Sequence, residues 1–467
     1  MPINSYDYYP LSWYPDSTRI KRPKYEAIIT LLEEDIVSGV LKANTKLPSQ
    51  RELADYLDIN FTTVTRAYKL GVEKGLLYTN IGSGTFVSSN AFKSITISTD
   101  NSPAASIDLG LVSSFEQCNA LLVPAIQKVA GQQTITQFLN YQAPTGTAFQ
   151  KEIAIRWLST LGVQTIPERL SIVSGVQNGL AIVLSALFSY GDRIVVDFYT
   201  YSNFIELAKL FHLTLIPISA DLEGMSAIEL EKICQLQEVK GIFLMPSCNN
   251  PTGSILSASR KKELISIIKA YQLIVIEDDI HAFLTAPFLA DYSPPIYQSL
   301  PEQTVYLYGM TKFICSGLRV AYLVFPERFK NTLNRSMFNI NVKTSSLDSE
   351  IITEVLHSGL AQQLLETKKA LSQEANALFN TIFDCQEVTG HHPWPYFRCL
   401  PIPKHYSREY IETYFNQLGV NVYHSDRFVV KSDYEKAFIR VALSSSSSLE
   451  VLETGLLKIK EGLVGLE

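Results

Sequence analysis

Apolar residues follow one pattern in the first ninety residues and another from about residue 107 onward. Between residues 24 and 74 they recur every three or four positions, which predicts three helices, and the runs within 76–87 are typical of a hairpin. Ser49 and Glu52 form a capping box before the second helix, and Asn60 can cap the third. This order of elements predicts a winged helix-turn-helix.

The outer face of the third predicted helix carries groups that can donate hydrogen bonds to phosphates and base edges. These residues are Thr62, Thr63, Thr65, Arg66 and Lys69. Residues 19–90 contain ten Lys/Arg and eight Asp/Glu, so this segment has a charge of +2, whereas the whole chain has a net charge of −6. This local positive charge is compatible with phosphate contact. The alternative is a small helical module that packs on the rest of the protein without binding DNA.

From residue 107 onward, nearly continuous apolar and β-branched runs alternate with helical segments. This alternation predicts an α/β domain with a mainly parallel sheet covered by helices on both faces. The residues before it are small and polar, as in a flexible linker. We therefore expect a DNA-binding domain with an N-terminal arm at 1–88, a linker at 89–106 and a larger domain at 107–467.

Polar residues follow several of the predicted strands at their carboxyl ends, where ligands bind in such sheets. They include Gln177, Tyr201, Asn250, Asp278, Thr311 and Lys312. Lys312 lies between two apolar runs, where its amine could hold an aldehyde as a Schiff base, and Arg319 could clamp that aldehyde's phosphate. Taken alone, the segment around Lys312 is also typical of a β-turn-β with exposed charges. Together these residues are the parts that pyridoxal 5'-phosphate (PLP) needs.

Composition excludes several classes of protein. With 467 residues, the chain is too long for one core, and 46% hydrophobic with 18% charged residues is ordinary for a soluble globular protein. Its six cysteines show no CxxC spacing, so neither a zinc site nor a disulfide framework is indicated. Without a signal-peptide pattern or a long apolar run, we expect a cytoplasmic protein without membrane association.

Four segments in the first domain resemble the GntR-type winged helix. They are Leu47–Ala54, Thr62–Tyr68, Glu73–Leu77 and Gly84–Val87. The resemblance implies that Arg51, Thr63, Thr65 and Arg66 contact DNA, with Gly84 at the wing tip near the minor groove. Ser49 and Thr62 complete the predicted DNA-binding set.

The larger domain resembles the aspartate aminotransferase-like enzymes of PLP-dependent transferase fold type I, which adds a smaller C-terminal α+β lobe. The resemblance implies that Lys312 forms the Schiff base and that Asp278, with Asp279 as the fallback, binds the pyridine nitrogen. Asn250 would bind the phenolic oxygen and Tyr201 would stack on the ring. Val176, Gln177, Thr311 and Arg319 would hold the phosphate. Arg440 would bind the carboxylate of an effector, and Tyr141 would reach across a dimer interface to the neighbouring site.

The chain departs from that family at three places. Gly309 stands where a serine is common, which removes one phosphate donor, and the usual tyrosine after the aspartate is absent. His281 could donate to the phenolic oxygen instead, or it could be a surface histidine. The segment Gly390–Trp394 is bulkier than expected. These departures put catalytic turnover in more doubt than cofactor binding.

A GntR-type domain joined to an aminotransferase-like domain resembles the MocR family of transcriptional regulators. The resemblance implies a homodimer that reads two DNA half-sites and senses an amine, an amino acid or PLP itself. Two alternatives stay open. One is an active PLP-dependent aminotransferase with an accessory DNA-binding module, and the other is a DNA-binding protein with a degenerate, cofactor-free body.

Overall fold

The computed structural model describes residues 11–42, 44–74, 76–80, 82–88, 95–97, 106–289, 292–384, 390–430 and 436–466. Most of the segment predicted as a linker lies outside these residues. The chain divides into two compact units. The smaller unit comprises residues 1–96 with 429–435, and the larger comprises 97–428 with 436–467.

The smaller unit contains three helices and a hairpin: α1 (Lys24–Val37), α2 (Gln50–Tyr56), α3 (Phe61–Glu73), β1 (Leu77–Asn80) and β2 (Gly84–Val87). Strands β1 and β2 pair antiparallel. Its core is built from the periodic apolar positions of the three helices and from the hairpin, among them Ile28, Leu32, Leu53, Val64, Ala67, Tyr68 and Val87. The predicted winged helix-turn-helix order is confirmed.

Both predicted helix caps in this unit are present. The backbone N–H of Glu52 donates to Ser49 Oγ (3.3 Å), and the N–H of Ser49 donates to Glu52 Oε2 (2.8 Å). At the start of α3, the N–H of Thr62 donates to Asn60 Oδ1 (2.8 Å). Each cap satisfies a backbone donor that the helix itself leaves unpaired, and such a cap contributes about 1 kcal/mol.

The larger unit alternates strands and helices. Its strands are β3 (Ile107–Asp108), β4 (Leu170–Val173), β5 (Arg193–Asp197), β6 (Thr214–Ile218), β7 (Ala220–Asp221), β8 (Gly224–Met225), β9 (Gly241–Leu244), β10 (Ile274–Asp278), β11 (Thr304–Gly309), β12 (Ala321–Val324), β13 (Phe397–Ile402), β14 (Val420–Asn421), β15 (Tyr423–His424) and β16 (Ala437–Ala442).

Its helices are α4 (Val123–Ala130), α5 (Ala148–Thr160), α6 (Val176–Leu187), α7 (Ser202–Leu210), α8 (Ala227–Leu236), α9 (Ala258–Tyr271), α10 (Ala282–Thr285), α11 (Ile296–Ser299), α12 (Met310–Phe313), α13 (Lys330–Ile340), α14 (Ser346–His357), α15 (Leu360–Phe383), α16 (Arg408–Gln417) and α17 (Leu449–Val464). Among the described residues, none of these helices combines the length and apolar character that crossing a membrane requires.

A seven-stranded sheet organises this unit, with the strand order β4-β12-β11-β10-β9-β5-β6. Every pair between β11 and β6 in this order is parallel, and β12 runs antiparallel to β11 and β4. All residues of β4, β9, β10, β11 and β12 are buried. Burial on both faces explains why these strands are continuous apolar runs, and the predicted mainly parallel sheet is confirmed.

A second, three-stranded sheet of order β13-β16-β15 lies in the C-terminal part of the larger unit. Its central strand, β16, is buried at every position and carries Arg440 between Cys399 of β13 and Tyr423 of β15. Strand β3 pairs with β14, which ties the beginning of the unit to this C-terminal part. The smaller α+β lobe predicted from the resemblance is therefore present.

Candidate functional site

A cavity of about 260 Å³ lies at the carboxyl ends of the large sheet's parallel strands. Ten of the residues predicted for cofactor and effector binding line it: Val176, Gln177, Tyr201, Asn250, Asp278, His281, Thr311, Lys312, Arg319 and Arg440. Tyr141 does not line it and is 89% exposed. Its predicted role requires a second subunit and stays a prediction.

Lys312 stands on the short helix α12, directly after β11. Its Nζ donates a hydrogen bond to the carbonyl oxygen of Val112. Burial lowers the pKa of Lys312 to about 7, and the positive charges of Arg440 and Arg319 act in the same direction. Since a neutral amine is the nucleophilic form, a substantial fraction of Lys312 can attack a carbonyl at neutral pH.

Asp278 ends strand β10 and is 2% exposed. Its Oδ1 has no hydrogen-bond partner in the described part of the chain. Burial, together with the charge of Asp279, raises the pKa of Asp278 to about 7. An unsatisfied buried carboxylate oxygen is costly, and a bound ligand with a positively charged N–H would satisfy it.

Asp279, the fallback candidate, is used within the protein instead. Its Oδ1 accepts from the backbone N–H of Ser247 (3.2 Å) and its Oδ2 accepts from the hydroxyl of Tyr306 (3.4 Å). It does not line the cavity. The structure therefore favours Asp278 of the two carboxylates.

The amino end of α6 and Arg319 together form a site suited to an anion. Gly175 caps the helix with φ +84°, a backbone conformation that glycine adopts at no steric cost. A Cβ at this position would lie 2.9 Å from Nη2 of Arg319, so the guanidinium packs directly over the helix start. Val176, Gln177 and Thr311 line the cavity beside it. The unpaired amides of a helix start and a nearby guanidinium are a recurrent phosphate-binding arrangement.

Arg440 is 1% exposed and held from several sides. Its Nη1 donates to Asn250 Oδ1 (2.8 Å), and its Nη2 donates to the carbonyl oxygen of Gly110. The guanidinium carbon lies 4.8 Å from the ring centre of Phe428 and 5.5 Å from that of Tyr423. Burial lowers the pKa of Arg440 to about 10, so the group remains a cation at neutral pH. The contact with Arg440 uses the oxygen of Asn250 and leaves the amide nitrogen to donate to a ligand.

His281 and Tyr201 are neutral groups in the cavity wall. His281 is 4% exposed, so the alternative of a surface histidine is wrong. Burial lowers the pKa of His281 to about 3, and the charge of Lys312 acts in the same direction. Burial raises the pKa of Tyr201 to about 12, and Asp278 adds to this. At neutral pH, His281 therefore has one N–H to donate and Tyr201 keeps its hydroxyl proton.

Gly309, one of the departures from the family pattern, has a steric explanation. A Cβ on Gly309 would lie 2.6 Å from Cγ2 of Val176 and 3.2 Å from Cδ1 of Ile280. A contact of 2.6 Å does not occur unless Val176 moves, and the contact with Ile280 is also tight. The serine expected at this position therefore has no room beside the present side chains of Val176 and Ile280.

The structure adds cavity residues that sequence reasoning missed. They are Ile97, Leu111, Val112, Asn203, Met245 and Ile280. Most are apolar and carry no chemical signal, and Val112 contributes through its backbone carbonyl. Asn203 is the exception, because its polar side chain stands two positions after Tyr201 and could have been suspected.

A separate groove of about 790 Å³ lies in the smaller unit. It is bounded by the beginning of α2, the beginning of α3 and the turn of the hairpin, and its lining includes Ser49, Arg51, Phe61, Gly84 and the unpredicted Lys46. A Cβ on Gly84, whose φ is +121°, would lie 2.9 Å from Cε of Lys46. The groove therefore places Lys46 beside the predicted wing tip and includes a second basic side chain, Arg51.

The predicted residues of α3 do not line this groove. Thr62 and Arg66 are exposed, and Thr63 and Thr65 are partly exposed. Thr65 Oγ1 donates to Gln50 Oε1 (2.8 Å), and the Arg66 guanidinium lies 3.9 Å from the ring centre of Tyr25. These contacts hold the two side chains at the helix surface, where their DNA-binding roles stay a prediction.

Two family models match the chain. The model described as bacterial regulatory proteins, gntR family, matches residues 24–87, and the model for aminotransferase class I and II matches residues 113–456. The HTH-type transcriptional regulator YdeF of Bacillus subtilis (strain 168) is 32% identical over 464 residues, covering 98% of each chain. YdfD of the same organism, also described as an HTH-type transcriptional regulator, is 24% identical and covers 76% of this chain and 78% of its own.

Solved aminotransferase structures share the fold of the larger unit. LysN, the α-aminoadipate aminotransferase of Thermus thermophilus, complexed with N-(5'-phosphopyridoxyl)-L-leucine, superposes with a TM-score of 0.71 at 20% identity, covering 81% of this chain and 98% of its own. The kynurenine aminotransferase of Pyrococcus horikoshii gives 0.69 at 17% identity, covering 78% and 91%. At these identities the likeness establishes the fold.

Proposed function

Since the chain belongs to the MocR family of transcriptional regulators, with a GntR-type DNA-binding domain fused to an aminotransferase-like domain, we propose that it binds PLP at Lys312 and changes its DNA affinity in response. The signal is an amine, an amino acid or PLP itself. One observation carries this proposal: the Lys312 amine, the unsatisfied Asp278 oxygen and the Arg319-covered start of α6 meet in one cavity.

The residues of the cavity fit PLP group by group. Lys312 offers an amine for the aldehyde, and Asp278 offers an unsatisfied oxygen to the pyridine N–H. The phosphate would bind at the start of α6, with Val176, Gln177, Thr311 and Arg319 around it. When bound, PLP supplies reversible carbonyl chemistry toward primary amines.

Three further residues would complete the cofactor site. Tyr201 would stack on the ring, while the amide nitrogen of Asn250 and the N–H of His281 would donate to the phenolic oxygen. Donation from His281 is consistent with its lowered pKa, because the neutral imidazole keeps one N–H and adds no positive charge.

The charges in the cavity favour an effector that carries a carboxylate. The lining includes two guanidinium groups, Arg319 and Arg440, and Lys312 carries part of a positive charge at neutral pH. Asp278 is the one carboxylate among the described lining residues. The PLP phosphate accounts for the region around Arg319. Arg440 lies beside Asn250 and would bind the carboxylate of an effector, which favours an α-amino acid over a simple amine.

We further propose that the regulator acts as a homodimer. Tyr141, with 89% of its surface exposed, would reach the site of the partner chain, and the two GntR-type domains would read two half-sites of an operator. Release of Lys312 by an amino acid effector would leave its amine beside two arginines. This change of charge would alter the relative stability of the conformations that bind DNA well and poorly.

The second candidate function is an active aminotransferase with an accessory DNA-binding module. The pKa of Lys312, lowered to about 7, favours it, because an amine with this pKa can both accept and release a proton near neutral pH. Sustained conversion of one amino acid and one keto acid, abolished by Lys312→Ala, would establish this function.

A visible-absorbance titration tests the cofactor part of the proposal. Purified full-length protein reconstituted with PLP should show the visible band of lysine-bound cofactor, and one or more amino acids should change that band without sustained turnover. Lys312→Ala should lack the starting band. A wild-type protein that shows no such band after reconstitution would refute binding at Lys312.

A further inference from the structure

The side chain of Asn203 forms hydrogen bonds with both backbone polar groups of Ile97. The N–H of Ile97 donates to Asn203 Oδ1 (2.8 Å), and Asn203 Nδ2 donates to the carbonyl oxygen of Ile97 (3.3 Å). The two residues are 106 positions apart, and this pair of hydrogen bonds resembles a single step of a β-ladder made by a side chain. Both residues also line the cavity that contains Lys312.

Asn203 is connected to the groups that would hold the cofactor. Gln177, in the first turn of α6, donates from Nε2 to the backbone carbonyl of Asn203 (3.3 Å). Tyr201 precedes α7, and Asn203 is the second residue of that helix. A phosphate at the start of α6 would therefore restrain Gln177, which bonds to Asn203. A ring against Tyr201 would restrain the chain two positions before Asn203.

Ile97 has a particular place in the chain. It is the first residue of the larger unit, and residue 96 is the last of the N-terminal segment that belongs to the smaller unit. The smaller unit contains the GntR match at residues 24–87. Ile97 is therefore joined by one peptide bond to the N-terminal segment that contains the GntR match.

We propose that Asn203 is a positioning residue that couples ligand occupancy of the cavity to docking of the chain at Ile97. In the occupied state, Gln177 and Tyr201 are restrained, Asn203 keeps both hydrogen bonds and Ile97 closes the cavity wall. In the empty state, Asn203 is less restrained and Ile97 detaches more often. This inference rests on the proposed function, because it supplies the route by which occupancy reaches the DNA-binding domain.

Amide hydrogen exchange of the full-length protein tests this coupling. The readout is the exchange rate in a peptide containing residues 95–97, measured without PLP and with saturating PLP. We expect PLP to slow the exchange of the Ile97 amide by roughly fivefold, the factor that one additional hydrogen bond of ordinary net strength gives. Equal rates with and without PLP in the wild-type protein would overturn the proposal.

Two substitutions at Asn203 distinguish the contributions of its two hydrogen bonds to Ile97. Asn203→Ala removes both hydrogen bonds, so the Ile97 amide should exchange fast in both conditions. Asn203→Asp keeps an acceptor for that amide but loses the donor to the Ile97 carbonyl, so protection should be intermediate. Lys209→Ala is the control on the same helix, because Lys209 pairs with Glu206 and does not line the cavity. PLP content is measured by absorbance, so that variants are compared at equal loading.

The outcomes separate this inference from the proposed function. If PLP changes exchange at residues 95–97 but no ligand changes DNA affinity, the coupling exists and the proposed regulation is wrong. If ligands change DNA affinity in both the wild type and Asn203→Ala, with exchange at 95–97 unaffected, the regulation exists and Asn203 does not carry it.

Discussion

Replacing Asp278 by asparagine removes a buried charge from the cavity while keeping the shape of the side chain. Burial and the charge of Asp279 raise the pKa of Asp278 from its ordinary value of 3.8 to about 7. The folded protein therefore retains a proton that the unfolded chain releases, so the free energy of unfolding falls as pH rises from about 4 to 7. The separation of the two pKa values corresponds to roughly 4 kcal/mol of lost stability above pH 7.

Asp278→Asn should recover this loss. In urea unfolding of the PLP-free protein, we expect the variant to exceed the wild type by roughly 4 kcal/mol at pH 8 but by less than half of that at pH 5, where the wild-type carboxyl is already protonated in the folded state. PLP affinity should change in the opposite direction. Loss of a hydrogen bond to a charged group should weaken PLP binding by roughly 10- to 100-fold.

Asp197→Asn is the matched control. Burial raises the pKa of Asp197 to about 7 as well, and Asn249 Nδ2 donates to its Oδ2 (3.0 Å), but Asp197 does not line the cavity. It should gain stability with the same pH dependence and keep wild-type PLP affinity. If Asp278→Asn is no more stable than the wild type at pH 8, the raised pKa of Asp278 is refuted. If the variant binds PLP as tightly as the wild type, the assignment of Asp278 to the pyridine nitrogen is refuted.

Two further substitutions test the wall of the cavity and the groove of the smaller unit. Gly309→Ser should lower PLP affinity rather than restore a phosphate donor, because its Cβ would lie 2.6 Å from Val176 Cγ2. Overpacking of this kind costs about 1–3 kcal/mol. Tighter PLP binding in a spectroscopic titration would contradict this prediction. Lys46→Ala should weaken DNA binding by roughly fivefold at physiological salt and reduce the slope of log affinity against log salt by about 1, as expected for one lost phosphate contact. Lys42→Ala, at an exposed position outside the groove, should leave both values unchanged, and equal effects of the two substitutions would exclude a specific role for Lys46.

Much of the candidate site was predictable because parallel strands end at one edge of a sheet. Asn250, Asp278 and Lys312 each lie at or shortly after the end of a buried strand, where ligands bind in such sheets. The caps at Ser49 and Asn60 were predictable for a similar local reason, since a helix start needs acceptors within three residues.

Contacts that join distant segments were not predictable. Ile97 reaches the cavity through two hydrogen bonds to a residue 106 positions away, and nothing in its local sequence marks it. Lys46 lines the groove because its side chain packs against Gly84. This contact depends on the position of the hairpin relative to residue 46. The burial of His281 was left open because one isolated histidine gives no periodic signal. Such contacts are set by tertiary packing, which residue type and spacing do not record.

The most direct test of the central claim is the DNA affinity of the full-length protein, measured by fluorescence anisotropy on an operator selected from random DNA. The wild type should bind with different affinities in its PLP-free form, its PLP-loaded form and its PLP-loaded form with a responsive amino acid. Lys312→Ala should bind with one affinity under all three conditions. Identical wild-type affinities throughout, or the same ligand response in Lys312→Ala, would contradict control of DNA binding through Lys312.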